Sequence, residues 1–218
     1  RLDGVEAFTT EAAGASGAAA LRLGYLAIRS GLVDVARVVG VEKYTDQVGS
    51  EPEAAVTQGM DFDFESISGM SAAGQAALLM QRYFYQYDLP PHALADFAIL
   101  AHANAVANPN AMYRRAITRE AYEKAEMISD PLNLYDVAPY ADGAAAVVLT
   151  RPELVPASVQ HPLVRISGSS VSIDTLALHD RPDPLAFEAA RISIEQACRQ
   201  AGILPAAINF FQLPDAFS

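Results

Sequence analysis

Five residues, Ala13-Gly14-Ala15-Ser16-Gly17, stand where a short alternating segment gives way to a helical pattern. A side chain at such a junction meets the free amides and the positive end of the helix. A cysteine there has its thiolate stabilised and becomes a nucleophile near neutral pH. Position 14 is glycine instead, and the needs of a tight turn account for glycine on their own. Ser16 lacks an activating base nearby in sequence and reads as part of the turn. Tyr135 and Tyr140 flank the loop 136–142. Their hydroxyls read as hydrogen-bonded packing groups, or as a phenol able to act as an acid. Cys198 sits beside Ala197 in a helical stretch and reads as a buried, inert thiol. His92, His161 and His179 read as loop or helix-start residues.

The elements that must position these groups follow from apolar spacing. Residues 5–9 alternate like a strand. From Ala18, the positions Leu21, Tyr25, Ile28 and Leu32 recur at helical spacing, with Gly31 as the stop. Residues 35–41 read as a buried β-branched strand, giving a strand–helix–strand unit that favours a parallel sheet. Residues 42–66 look irregular and acidic. Helices are expected over 71–87 and 91–107, the second bounded by Pro90-Pro91 and Asn108-Pro109. Thr118 reads as an N-cap for a helix reaching 127. Residues 143–149 read as a strand and Pro152 and Pro156 as a linker. Beyond it, 164–178 looks extended, 184–201 helical with Gly202 as its stop, and 208–213 a strand.

Composition narrows the class. Apolar residues make up 51% of the 218 and charged residues 19%, which suits a packed core rather than a disordered chain. A net charge of −11 repels phosphate backbones and argues against nucleic-acid or anionic-membrane binding. The single cysteine forms no internal disulfide, and no spacing suits a metal site, so a reducing compartment is expected. The longest uncharged runs, 66–81 and 97–113, fall short of the ~20 apolar residues of a membrane span. There is no signal-peptide pattern at the start. Position 1 is not Met and the chain stops just after an apolar run, so a segment of a longer protein is expected.

Two motifs together, Glu11-Ala12-Ala13-Gly14-Ala15-Ser16-Gly17-Ala18-Ala19-Ala20 and Val38-Val39-Gly40-Val41-Glu42-Lys43-Tyr44-Thr45-Asp46, resemble the thiolase superfamily, in particular its archaeal and sterol-carrier types. Further matches follow in order: His102-Ala103-Asn104-Ala105 with Asn108-Pro109, then Ser129-Asp130-Pro131-Leu132, Tyr135-Asp136-Val137 and Asp142-Gly143-Ala144-Ala145-Ala146. The stretch from Asp174 through His179 to Arg181 and the motif Pro214-Asp215-Ala216-Phe217 complete the set. The resemblance implies that Gly14 occupies the place of the acyl-accepting cysteine. It likewise implies that Ala101 replaces an asparagine before His102 and that Ala138 replaces a cysteine common in the subgroup. Pro214 replaces the histidine of a His-Asp-Ala-Phe motif that helps hold a water and a thioester oxygen, with Asp215 retained beside it. The cysteine and histidine of the family's C-terminal glycine-rich loops are not in the chain.

The expected fold is therefore α/β, a thiolase-like layered α-β-α-β-α arrangement with parallel-rich sheets and a helical insert at about 60–135. Residues 1–155 would form an N-terminal half, incomplete at its start, and 156–218 the beginning of a truncated C-terminal half. The candidate site is Gly14, His102, Tyr140, Pro214 and Asp215, with no metal. A coenzyme A thioester is the implied ligand, with no covalently bound cofactor. The resemblance further implies a homodimer with strand 5–9 near its two-fold axis, a possible zinc-ribbon and OB-fold partner protein, and the cytoplasm. Three functions remain open: a non-thiolytic paralogue or partner subunit of acyl-CoA metabolism, an acyl-CoA retro-aldolase of the steroid side-chain type, and a residual acetyl-CoA acyltransferase.

Overall fold

The apolar spacing after Gly17 produces helix α1, Ser16–Ser30, which ends at Gly31 in the left-handed conformation. Strand β1, Val35–Glu42, follows at once. These elements belong to a computed structural model that describes residues 3–214 and 216–218. The chain divides into two discontinuous units. The first comprises Arg1–Lys43, Asp142–Asp174 and Phe187–Gln212, and the second Tyr44–Ala141, Thr175–Ala186 and Leu213–Ser218.

In the first unit, β1 pairs antiparallel with strand β4, Gly143–Thr150, in an unbroken register from Val35↔Thr150 to Glu42↔Gly143. Residues directly opposite share a face, so Ala36, Val38, Val147 and Leu149 lie together, and α1 rests on that face. Gly24 makes the approach possible. A Cβ there would stand 2.9 Å from Val38 Cγ2 and 3.0 Å from Leu149 Cδ1, closer than carbon atoms pack. The salt bridge of Arg151 to Asp34, and Thr150 Oγ1 donating to the Asp34 carbonyl at 2.8 Å, clip the end of the ladder.

The last helix of the unit is α6, Glu188–Ala201, again closed by a left-handed glycine, Gly202. It holds the preceding segment through side chains rather than through a ladder. Gln200 accepts from Ser169 N at 2.9 Å, and Gln196 accepts from Ser170 Oγ at 2.7 Å. Gly168 lies so close to the helix that a Cβ would come within 2.1 Å of the Ala197 carbonyl oxygen.

The second unit holds most of the expected helical insert. Helices α2 (Glu51–Thr57), α3 (Ala72–Gln86), α4 (Ala95–Ala105) and α5 (Arg119–Glu123) precede a small antiparallel pair, β2 (Met127–Ser129) and β3 (Leu132–Asn133). Ser71 and Thr118 cap α3 and α5, their hydroxyls accepting from Gly74 N and Ala121 N. Two small cores form, Ala77–Met80–Leu132 with Phe84 and Phe217 against it, and Ala95–Ala98–Tyr122 with Ile99 and Tyr135 against it.

Several local expectations are corrected. Residues 5–9 form no strand, Val5 and Phe8 are exposed, and no ladder among the described residues includes them. Residues 208–213 likewise belong to no ladder among the described residues. The strand–helix–strand unit at the start therefore lacks its first strand, and both ladders among the described residues are antiparallel. The helix after Thr118 stops at Glu123 rather than 127, where Met127 turns to pair with Asn133. The acidic stretch 42–66 contains α2, whose Pro52 and first-turn Glu51 and Glu53 favour a helix start. The mixed α/β class stands.

Candidate functional site

Gly14 lies within a single 3-10 turn, Ala13–Ala15, that feeds directly into α1. The turn is held by polar groups. Glu11 Oε1 accepts from Ala13 N at 2.6 Å and lies 2.8 Å from Ser16 Oγ, whose oxygen in turn accepts from Ala12 N at 2.9 Å. The Ser16 hydroxyl, followed by the Ala13 amide, holds the Glu11 carboxyl below the usual carboxylate range. Ser16 is thus committed to the turn, with no imidazole beside it. Ala13 carries the strain, with φ of 46° in a non-glycine residue. Gly14 does not have a left-handed φ, and a Cβ built on it meets nothing within 4 Å. Neither backbone strain nor crowding requires glycine at this position. At position 14 the turn offers open space beside the amides of α1 but no side-chain atom able to carry an acyl group.

His102 is half-buried on α4. Its Nδ1 is 3.1 Å from the Arg115 carbonyl oxygen, which only accepts, so Nδ1 carries the proton and Nε2 is left as the acceptor in the neutral ring. The imidazole meets the Tyr135 ring edge-on at 5.4 Å. Behind Tyr135 lies a buried polar network. The Tyr122 hydroxyl donates to Asp136 Oδ1 at 2.6 Å, Asn133 N donates to Asp136 Oδ2 at 2.9 Å, and Asn133 Nδ2 donates to the Tyr122 carbonyl at 3.2 Å. Burial first, then Asp136, pushes the Tyr122 hydroxyl well above the ordinary tyrosine range.

The C-terminal motif docks on this same loop. Ala138 N donates to the Ala216 carbonyl at 2.9 Å, Ser218 N donates to the Asp136 carbonyl at 3.0 Å, and Val137 bridges Phe217. The structure therefore brings together two motifs about eighty residues apart in the sequence. Pro214 is exposed at the start of this docked segment and offers no donor or imidazole. Asp215 lies outside the described residues.

Tyr140 precedes β4. Its hydroxyl donates to Glu53 Oε2 at 2.6 Å, and its ring lies 4.8 Å from that of Tyr44. Burial, followed by the Glu53 hydrogen bond and charge, pushes the phenol up to about 12. Glu53 was not among the sequence candidates. The acidic first turn of α2 signals a helix start, but nothing in the sequence couples it to a tyrosine 87 residues on. Cys198 is buried within α6. No cluster of His, Cys, Asp or Glu among the described residues has the arrangement of a metal site.

Residues 2–153 match the model of the family described as Thiolase, N-terminal domain. The acetyl-CoA acetyltransferase of Methanothermobacter thermautotrophicus is 35% identical over 208 residues, covering 95% of this chain and 54% of that protein. The 17-hydroxy-3-oxo-4-pregnene-20-carboxyl-CoA lyase of Mycobacterium tuberculosis is 26% identical, covering 94% of this chain and 56% of its own length. The solved structure of the Ltp2-ChsH2(DUF35) aldolase superposes with a TM-score of 0.79 at 22% identity, over 94% of this chain and 54% of that one. The chain spans about half the length of the curated relatives it matches. Two motifs joined across the sequence and a family match over residues 2–153 lead to one conclusion: this chain belongs to the thiolase family.

Proposed function

We propose that this protein works on acyl-CoA substrates with the thiolase fold but does not transfer acyl groups through position 14. The observation that carries this reading is Gly14 itself: space for a Cβ, the N-terminal amides of α1, and no nucleophilic atom. Pro214 supports it, since a water or thioester oxygen finds no imidazole there. The protein is then a non-thiolytic paralogue or a partner subunit, with a coenzyme A thioester as ligand. The match over 2–153 supports 1–155 as an N-terminal half and 156–218 as the start of a second one. We include in the proposal a homodimer or a complex with a zinc-ribbon and OB-fold partner, and a place in the cytoplasm. Exposed Val39 and Val41 on β1 and Val148 on β4 support an assembly. No helix among the described residues is long and apolar enough to cross a membrane.

Incubation with acetyl-CoA followed by intact-protein mass spectrometry is expected to show no acetyl adduct. Gly14→Cys is expected to fold and to take up an acetyl group, yet not to cleave acetoacetyl-CoA, because Pro214 remains. An adduct on the parent protein mapped to residues 12–18, or thiolysis by the single variant, would overturn the reading.

A second reading, a retro-aldolase cleaving a β-hydroxyacyl thioester, is favoured by Tyr140. Its phenol is held protonated and already pointed at a carboxylate. Cleavage of this kind needs proton transfer at a hydroxyl and donors for an enolate, but no covalent thioester.

A further inference from the structure

We infer that Glu53 is the positioning residue of Tyr140, fixing the direction of the phenol and receiving its proton, so that the two form a carboxylate–tyrosine relay. The inference rests on the retro-aldolase reading for the chemistry the relay serves, and on its own geometry for the pairing.

Glu53 is tied down at both oxygens. Oε2 accepts the Tyr140 hydroxyl at 2.6 Å, and Oε1 accepts Ala72 N at 2.7 Å, at the first residue of α3. The carboxylate therefore sits on the amide-rich end of a 15-residue helix, which fixes its orientation. Its own backbone lies in the first turn of α2, so two helix starts position one side chain. The Tyr140 ring is held from the other side by Tyr44, at 4.8 Å and 31° between planes. Glu53, through its hydrogen bond and charge, and Tyr44 are titratable groups that act on Tyr140. The ring contact and the hydrogen bond together direct the phenol's proton at Glu53.

On a β-hydroxyacyl thioester the step balances without a further reactant. The substrate hydroxyl gives its proton to Tyr140 Oη while Tyr140 passes its own to Glu53 Oε2. The bond between the α and β carbons breaks, its electron pair forming the thioester enolate as the hydroxyl carbon becomes a carbonyl. The proton then returns through Tyr140 to the enolate carbon. The products are a ketone or aldehyde and a shortened acyl thioester.

The test titrates Tyr140 directly. Full-length protein labelled with ζ-13C tyrosine is followed by NMR through the alkaline range, with Tyr140→Phe identifying the resonance. In the parent protein Tyr140 is expected to titrate near 12. In Glu53→Gln it is expected to fall by about one unit or more toward the ordinary tyrosine value. Gln keeps an acceptor oxygen for Ala72 N, so the start of α3 retains its partner. A Tyr140 that titrates at the ordinary value in the parent protein overturns the inference even if the variant does not fold. One that is unmoved by Glu53→Gln overturns it as well. The same proteins are then given a β-hydroxyacyl-CoA. Tyr140→Phe is expected to lose about a hundredfold or more in kcat. Glu53→Gln is expected to lower kcat at unchanged KM and to displace the alkaline limb of the pH profile. A shifted titration with no cleavage by the parent protein removes the retro-aldolase reading and leaves the pairing in place.

Discussion

The turn around Gly14 and the network around Asp136 are both held by a carboxylate, yet they differ in what surrounds the carboxylate. Glu11 is exposed and bonds to groups within five residues of itself. Asp136 is 2% exposed, takes donors from Tyr122 and Asn133, and lies in the loop on which the C-terminal motif docks. Water can replace any partner lost from the first. It cannot reach the second, where an unmade hydrogen bond keeps its full desolvation cost. The two regions thus differ in kind: one is a scaffold whose buried polar groups are mutually required, the other an open junction whose turn is held by local polar groups around Gly14.

The sharpest way to break this contrast is Asp136→Ala. It strands the Tyr122 hydroxyl and the Asn133 amide in the core, and a loss of about 3–5 kcal/mol is expected in urea unfolding. A loss under about 1 kcal/mol would mean that water enters the network. Tyr122→Phe removes one donor and keeps the packing, so about 1–3 kcal/mol is expected. The parent protein should show the same bond through pH. The Tyr122 proton is bound more tightly in the folded chain, since its hydroxyl is raised above the ordinary value of 10.0. Its contribution is therefore complete below that value and declines above it as the raised group titrates. Urea melts across the alkaline range should show that decline, and Tyr122→Phe should flatten it. Smallest of all is Gly14→Ala: with free space and no left-handed φ, stability should change by less than about 1 kcal/mol, upward if at all. A larger loss would show that the turn does depend on glycine.

What the sequence determined by itself was mostly local. Gly31 and Gly202 end their helices in the left-handed conformation, Ser71 and Thr118 cap theirs, and β1 and β4 form where β-branched and small apolar residues run together. These features need only neighbouring residues and the backbone's own preferences. The glycine at position 14 was equally legible, because a side chain's identity is written in the sequence. Pairing was not. Residues 5–9 and 208–213 have the alternation or composition of strands, but a strand exists only when another backbone supplies its hydrogen bonds. The same holds for Glu53, which reads as an ordinary first-turn acid until tertiary structure sets it against Tyr140 and the start of α3. Likewise Asp136 reads as a loop residue until Tyr122 and Asn133 close over it. Residue types and local geometry could be read along the chain, whereas the partner of each polar group was decided by which distant segments folding brought within bonding distance.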